Sequence, residues 1–148
     1  MLLVNKAKQM SMHWHSSQKY GEVSYFDGHL RPVATLVGAL GGTPTEVALA
    51  YMHDSLEDTL IPREDILFHF GQKFMDSLDA LTKREGESYE AYMNRLVGNR
   101  SAIIVKLADS ICNLTASSAD WTENPEDEVA LRRINRYTRN VGRLSRYT

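Results

Sequence analysis

Ala102-Ile103-Ile104-Val105-Lys106-Leu107-Ala108-Asp109-Ser110-Ile111-Cys112-Asn113-Leu114 is apolar almost all the way round a helical wheel. A helix of that kind has no face to give to water, so it must run through the middle of a fold with other elements packed around it. Lys106, Asp109 and Asn113 interrupt the pattern at i, i+3 and i+7, which places all three on one stripe. A buried, unpaired charge is strongly unfavourable or gives up its ionisation. The stripe therefore meets partners or a ligand: either Lys106 and Asp109 pair with each other and a neighbouring helix, or the three face a bound species.

Around that segment the chain carries helical punctuation, and the period-2 alternation of strands is hard to find. We expect an all-α fold, one helical bundle in a single domain spanning residues 1–148. Thr43-Pro44-Thr45-Glu46 supplies an N-cap Thr, a Pro at N1 and the Glu of a capping box, predicting a helix from Pro44 to about Thr59. Gly41-Gly42 closes an earlier helix that starts near Arg31 and carries Val33, Leu36, Val37 and Leu40. Further helices are expected near residues 63–69, from about Gln72, over about 88–97, over about 101–116, and from Asn124-Pro125-Glu126-Asp127 onward, with Asn124 as N-cap. The segment from Gln18 to Gly28 reads as a loop.

With 43% apolar and 24% charged residues and a net charge of −2, the chain suits an ordinary globular domain and not a nucleic-acid binder driven by bulk charge. No apolar run approaches the roughly 20 residues that a bilayer span needs, and Met1-Leu2-Leu3-Val4 gives way at once to Asn5-Lys6-Ala7-Lys8. A soluble, cytoplasmic protein without a membrane partner is expected. The single cysteine, Cys112, cannot form an internal disulfide or a cysteine-based zinc site and reads as a core thiol, which leaves imidazole and carboxylate as metal ligands.

The helix from Pro44 ends in His53-Asp54-Ser55-Leu56-Glu57-Asp58. One imidazole and three carboxylates would share one broad face of a continuous helix, at the end where the macrodipole favours cations. That face is either solvated or neutralised by a bound cation. Among the other histidines, His29 stands where the Gln18–Gly28 loop enters the next helix and can reach a cleft. His13 and His15, beside Trp14 on the N-terminal helix, and His69 read as packing or surface residues. Two His and two Asp as ligands suit Mn²⁺, Fe²⁺ or Zn²⁺ better than Ca²⁺ and leave room for water. Water on such a metal loses a proton near neutral pH, and phosphate ester hydrolysis is the natural use.

The ordered set His29, His53-Asp54 and Asp109 resembles the H…HD…D signature of the HD-domain phosphohydrolases. It is most similar to the hydrolase branch shared by RelA/SpoT-type enzymes and single-domain small alarmone hydrolases. Met52-His53-Asp54-Ser55-Leu56-Glu57-Asp58-Thr59, Phe70-Gly71 with Leu81-Thr82-Lys83, and Val105-Lys106-Leu107-Ala108-Asp109 with Asn113 carry the likeness, over about residues 5 to 120. The resemblance implies an HD-type helical bundle holding one divalent metal, usually Mn²⁺, on His29, His53, Asp54 and Asp109. It further implies that Glu57 and Asp58 position the attacking water, Asn113 contacts the ribose region and Lys106 lines the pocket. The activity it implies is removal of pyrophosphate from the 3′ position of ppGpp and pppGpp. Phosphohydrolysis of another nucleotide (a dNTP, a nucleoside monophosphate or NADPH) and a catalytically silent nucleotide sensor are the alternatives.

The loop before His29 departs from the family pattern. It has one lysine, Lys19, and its proline is displaced to Pro32, which leaves Tyr20 or Tyr25 as a stacking surface for a base. Lys83, Arg84, Tyr89 and Arg95 are either phosphate contacts or solvated surface. Residues 124–148 carry six Arg against three acids, so the other 123 residues hold 11 bases against 16 acids. Arg132, Arg136, Arg139, Arg143 and Arg146 fall on one stripe of a C-terminal helix expected to pack on the bundle. The stripe is a solvated face, a contact in a homo-oligomer, or an attractor of anionic substrate.

Overall fold

A computed structural model describes residues 2–148. Nine α-helices are described: α1 Leu2–Trp14, α2 Arg31–Ala39, α3 Pro44–Met52, α4 Ser55–Asp58, α5 Arg63–Phe70, α6 Gln72–Leu81, α7 Tyr89–Leu96, α8 Arg100–Glu123 and α9 Glu128–Leu144. The all-α expectation holds. The apolar segment forms the first half of α8, which packs against α2, α3, α6 and α9. Ala102, Val105, Ala108 and Ser110 are fully enclosed there. Leu30, Leu49, Met52, Leu78, Met93 and Leu96 close the core around them. Each such side chain contributes roughly 1.5–3 kcal/mol by leaving water.

Several boundaries differ from the sequence expectation. The helix from Pro44 starts as predicted, with Thr43 Oγ1 accepting from the Glu46 N–H at 3.2 Å and Glu46 Oε1 accepting from the Thr43 N–H at 2.9 Å. It does not run on to Thr59. His53 Nδ1 lies 2.6 Å from the Ala50 carbonyl and Ser55 Oγ donates to the Met52 carbonyl at 2.6 Å. Both side chains take up carbonyls that the next helical turn would use. Asp54 then adopts φ −100°, ψ 3°, outside the helical region, and α4 begins anew at Ser55.

Helix α8 extends past Ala116 to Glu123 because its polar second half is covered on one side by α9. Asn124 is not the cap of the last helix. Its side chain accepts from the Glu126 N–H at 3.2 Å in a tight turn, and Asp127 Oδ1 caps α9 through the Ala130 N–H at 3.0 Å. Cys112 is only partly buried, at the edge of the core.

The Gln18–Gly28 segment is more ordered than a loop. Lys19–Tyr20 (β1) and Val23–Ser24 (β2) form an antiparallel hairpin with Tyr20 opposite Val23. A single wide π turn, Phe26–Leu30, follows. Gly28 is required there: a Cβ would stand 2.7 Å from Val23 Cγ2 and 3.0 Å from Tyr20 Cβ. The missing side chain lets the hairpin lie directly on the turn that carries His29, and such turns are common at functional sites.

Candidate metal centre

Four expected ligands from three places in the chain converge. His29 comes from the π turn, His53 and Asp54 from the break after α3, and Asp109 from the buried half of α8. His29 Nε2 lies 2.9 Å from Asp109 Oδ1 and 3.6 Å from Asp54 Oδ2. His53 Nε2 lies 3.2 Å from Asp54 Oδ2 and 3.4 Å from Asp109 Oδ1. The break at Asp54 makes this possible, because on a straight helix His53 and Asp54 would diverge by about 100°.

The protonation pattern fits a cation. His53 Nδ1 is committed to the Ala50 carbonyl, so its buried Nε2 is the ring atom that faces the Asp54 and Asp109 carboxylates, where a bound cation would replace its proton. Ligand atoms of His29, His53 and Asp109 lie within 4.8 Å of one another, and all three residues are buried, so the cluster can hold a metal ion. Burial opposes the charge on His53, but the Asp54 and Asp109 carboxylates outweigh it and raise the imidazole well above its ordinary range. Burial likewise opposes ionisation of Asp109, and Lys106 with the two histidines overrides it and holds the carboxyl well below its ordinary range. Asp54 is held down in the same way, burial being overcome first by His53.

A layer of side chains fixes these ligands. Lys106 Nζ donates to Asp109 Oδ2 at 3.0 Å and lies 5.6 Å from the centre of the Tyr92 ring. Asn113 Nδ2 donates to Asp109 Oδ1 at 3.0 Å, and its own Oδ1 accepts from the Tyr20 hydroxyl at 2.8 Å. The polar stripe of α8 is thus a self-paired set built around one carboxylate: Lys106 and Asp109 pair, and Asp109 still turns an oxygen to the histidines. The Tyr25 hydroxyl donates to Asp54 Oδ2 at 2.5 Å, and the Tyr20 ring stacks on His29 with centroids 5.1 Å apart.

Glu57 and Asp58 stand on α4 beside this cluster. Glu57 Oε1 accepts from the Lys83 N–H at 2.7 Å. Part of the Glu57 side chain remains open to solvent, yet desolvation on its inner side, with Asp54 nearby, raises its pKa above the ordinary 4.5. Asp58 Oδ2 accepts from Gln18 Nε2 at 3.1 Å, and Gln18 is in turn 2.7 Å from His15 Nδ1.

A cavity of about 460 Å³ opens against the Tyr20 side of the centre. Lys19, Tyr20, Tyr25, Asn113, Arg133 and Tyr137 line it, so three of the six expected substrate contacts, Lys19, Tyr20 and Asn113, share one pocket. Lys106 is turned to Asp109, and Lys83 and Arg84 lie in the exposed turn after α6, where neither lines the cavity. Arg95 serves that turn by holding Glu87 at 2.9 Å and the Asp79 and Thr82 carbonyls at 2.8 Å. Arg133 and Tyr137 also line the cavity, one turn apart on α9 and off the stripe of Arg132, Arg136, Arg139, Arg143 and Arg146, so the arginine periodicity gives no signal for them. Ser117 and Asp120, also lining the cavity, lay beyond the expected end of α8. His15, expected on the N-terminal helix, lies in the turn after Trp14, buried and stacked on Tyr25.

Fold and site together define an all-helical protein whose His29, His53 and Asp109 cluster can hold a metal. A solved structure of a metazoan ortholog of SpoT, described as hydrolysing ppGpp, superposes with a TM-score of 0.69, covering 99% of this chain and 95% of that one at 19% identity. The HD-domain fold implied by the sequence resemblance is therefore the fold observed. By sequence, the chain is 28% identical over 120 residues (75% of its length) to a GTP pyrophosphokinase of Streptomyces coelicolor. It is 28% identical over 138 residues (86% of its length) to a probable guanosine-3′,5′-bis(diphosphate) 3′-pyrophosphohydrolase of Synechocystis. The chain spans only 14% and 17% of the length of these two relatives. No protein-family model matches it. No helix among the described residues is long and apolar enough to cross a membrane.

Proposed function

We propose that this chain is a metal-dependent phosphohydrolase of nucleotide pyrophosphate esters, acting as a 3′-pyrophosphohydrolase on guanosine-3′,5′-bis(diphosphate) and its relatives. The observation that carries the reading is the convergence of His29, His53, Asp54 and Asp109, with Tyr20 and Tyr25 joining them to a neighbouring cavity of about 460 Å³, a size that suits a nucleotide. Residues 2–148 act as one HD-type unit in this reading, with α9 part of the pocket wall.

Mn²⁺ suits two imidazoles with two carboxylates, and Fe²⁺ or Zn²⁺ would bind the same atoms. When bound, such an ion polarises a phosphoryl oxygen and acidifies water. The chain's own residues do the rest. Glu57, with its raised pKa, orients the attacking water and takes up its proton. Gln18 holds Asp58 in place beside it. Asn113, fixed between Asp109 and Tyr20, presents its amide to the ribose. Tyr20 and Tyr137 offer ring faces to the base, and Lys19 and Arg133 offer positive charge to phosphates.

Purified protein with Mn²⁺ is incubated with ppGpp, GTP, dNTPs and NADPH. Pyrophosphate release from ppGpp supports the proposal. Turnover confined to another nucleotide moves the function to that substrate, and no release from any of them overturns the hydrolase reading.

A further inference from the structure

The arginine stripe of α9 does more than face solvent. Between α7 and the C-terminal half of α9 lies a second cavity, of about 600 Å³, lined by Arg136, Arg139, Arg143 and Arg146 together with Tyr89 and Asn140. It shares no lining residue with the cavity beside the metal centre. On α9, Arg139 and Arg146 stand about 120–180° from Arg133 and Tyr137 at 100° per residue, with Arg136 and Asn140 between the two pairs.

The inner wall is fixed. Asn140 is 4% exposed, and its amide donates to the Tyr89 hydroxyl at 2.7 Å. The Arg136 guanidinium rests over the Tyr89 ring, 5.2 Å from its centroid. Arg143 grips Glu90 through contacts of 3.1 Å to both carboxylate oxygens and also donates to Asn94. Glu90 is the one carboxylate lining the cavity, against four guanidinium groups. Like charges stacked at i, i+3 and i+7 along a helix repel. Here they repel around a concave surface, where a multiply charged anion would bring them together. Guanidinium groups bind phosphate through paired, parallel N–H donors, which single lysines do not.

We propose that this groove is a second binding site, for a small polyphosphorylated molecule of the nucleotide or inorganic polyphosphate class, separate from the metal centre. Its volume lies within the roughly 300–1,000 Å³ of small-molecule sites. That concavity favours a compact anion over the flat acidic surface of a protein partner. The site does not depend on the hydrolase reading.

Sodium tripolyphosphate titrated into the chelator-treated full chain, followed by calorimetry, tests it. Wild-type protein is expected to bind, and Arg139→Glu/Arg146→Glu to bind at least about tenfold more weakly, equivalent to about 1.4 kcal/mol. Lys6→Glu/Lys73→Glu makes the same change of charge at exposed positions that line neither cavity and should leave binding within about threefold, a difference of under about 1 kcal/mol. Circular dichroism confirms that each variant is folded. No binding by wild type, or an equal loss in both double variants, overturns the site. So does a wild-type dimer in size-exclusion chromatography that the Arg139/Arg146 pair of changes dissociates, since the groove would then be a contact between copies.

Discussion

Tyr25 holds Asp54: its hydroxyl donates to Asp54 Oδ2 at 2.5 Å, and that same oxygen lies 3.2 Å from His53 Nε2 and 3.6 Å from His29 Nε2. Burial, with the neighbouring Asp54 charge, raises the phenol far above its ordinary pKa, so it stays a donor throughout the working range. Asp54 has one further oxygen and sits at the break between α3 and α4, where the backbone alone does not fix its rotamer. Tyr25→Phe should therefore weaken metal affinity about tenfold, within the range for partners that orient a ligand. Competition with a chromogenic chelator measures it. Unchanged affinity would reduce Tyr25 to a packing residue.

Metal binding should appear as stability. A ligand at 100 times its dissociation constant adds about 2.7 kcal/mol to the folded state. Chelation is expected to lower Tm, and Mn²⁺ to restore it. His53→Ala should bind no metal by elemental analysis, and its Tm should not respond to Mn²⁺. Metal content equal to wild type would remove His53 from the ligand set.

Much of this centre was legible because the α8 stripe follows from spacing alone: Lys106, Asp109 and Asn113 can point in only one direction from an otherwise apolar helix. The break at His53-Asp54 was not legible. Pro44–Thr59 is well formed as a helix by propensity, and its interruption depends on His53 and Ser55 turning back to the Ala50 and Met52 carbonyls. Those bonds are local in sequence, and the contact of His53 with Asp109 on α8 that accompanies them is tertiary. The hairpin before His29 was hidden for a related reason: two-residue strands have no periodicity to read, and their support comes from packing against Gly28. At α9 the residue types were read correctly and the register was not, because Asn124 and Asp127 are both good caps and only the turn at Pro125 decides between them.

Glu57→Gln separates proton transfer from binding. Loss of a general base costs about 10²- to 10⁴-fold in rate, so turnover should fall by that order with metal content intact. The change also has a stability signature of defined sign. The folded-state pKa of Glu57 is raised above 4.5, chiefly by desolvation, so its contribution is fully present below that value and is lost as pH rises through the raised one. Tm of the variant relative to wild type should therefore be more favourable at pH 7 than at pH 4. A catalytically silent sensor would show the stability signature with nucleotide binding intact and no turnover in either protein.

Glu87 and Arg95 give the opposite sign. Hydrogen bonds from Arg95 and from the Arg84 N–H hold the Glu87 carboxyl down to about 2 from an ordinary 4.5. Its contribution is therefore present above about 4.5 and is lost as pH falls through about 2. Arg95 also binds the Asp79 and Thr82 carbonyls, so the pair fixes the turn whose Lys83 N–H supports Glu57. Glu87→Gln should lower Tm at pH 7, and the gap from wild type should close progressively between pH 4.5 and 2, followed by circular dichroism. Because the turn positions Glu57 from behind, the same variant should reduce kcat more than KM. A uniform Tm deficit across that pH range would show that the carboxylate charge on Glu87 contributes nothing beyond its hydrogen-bonding shape.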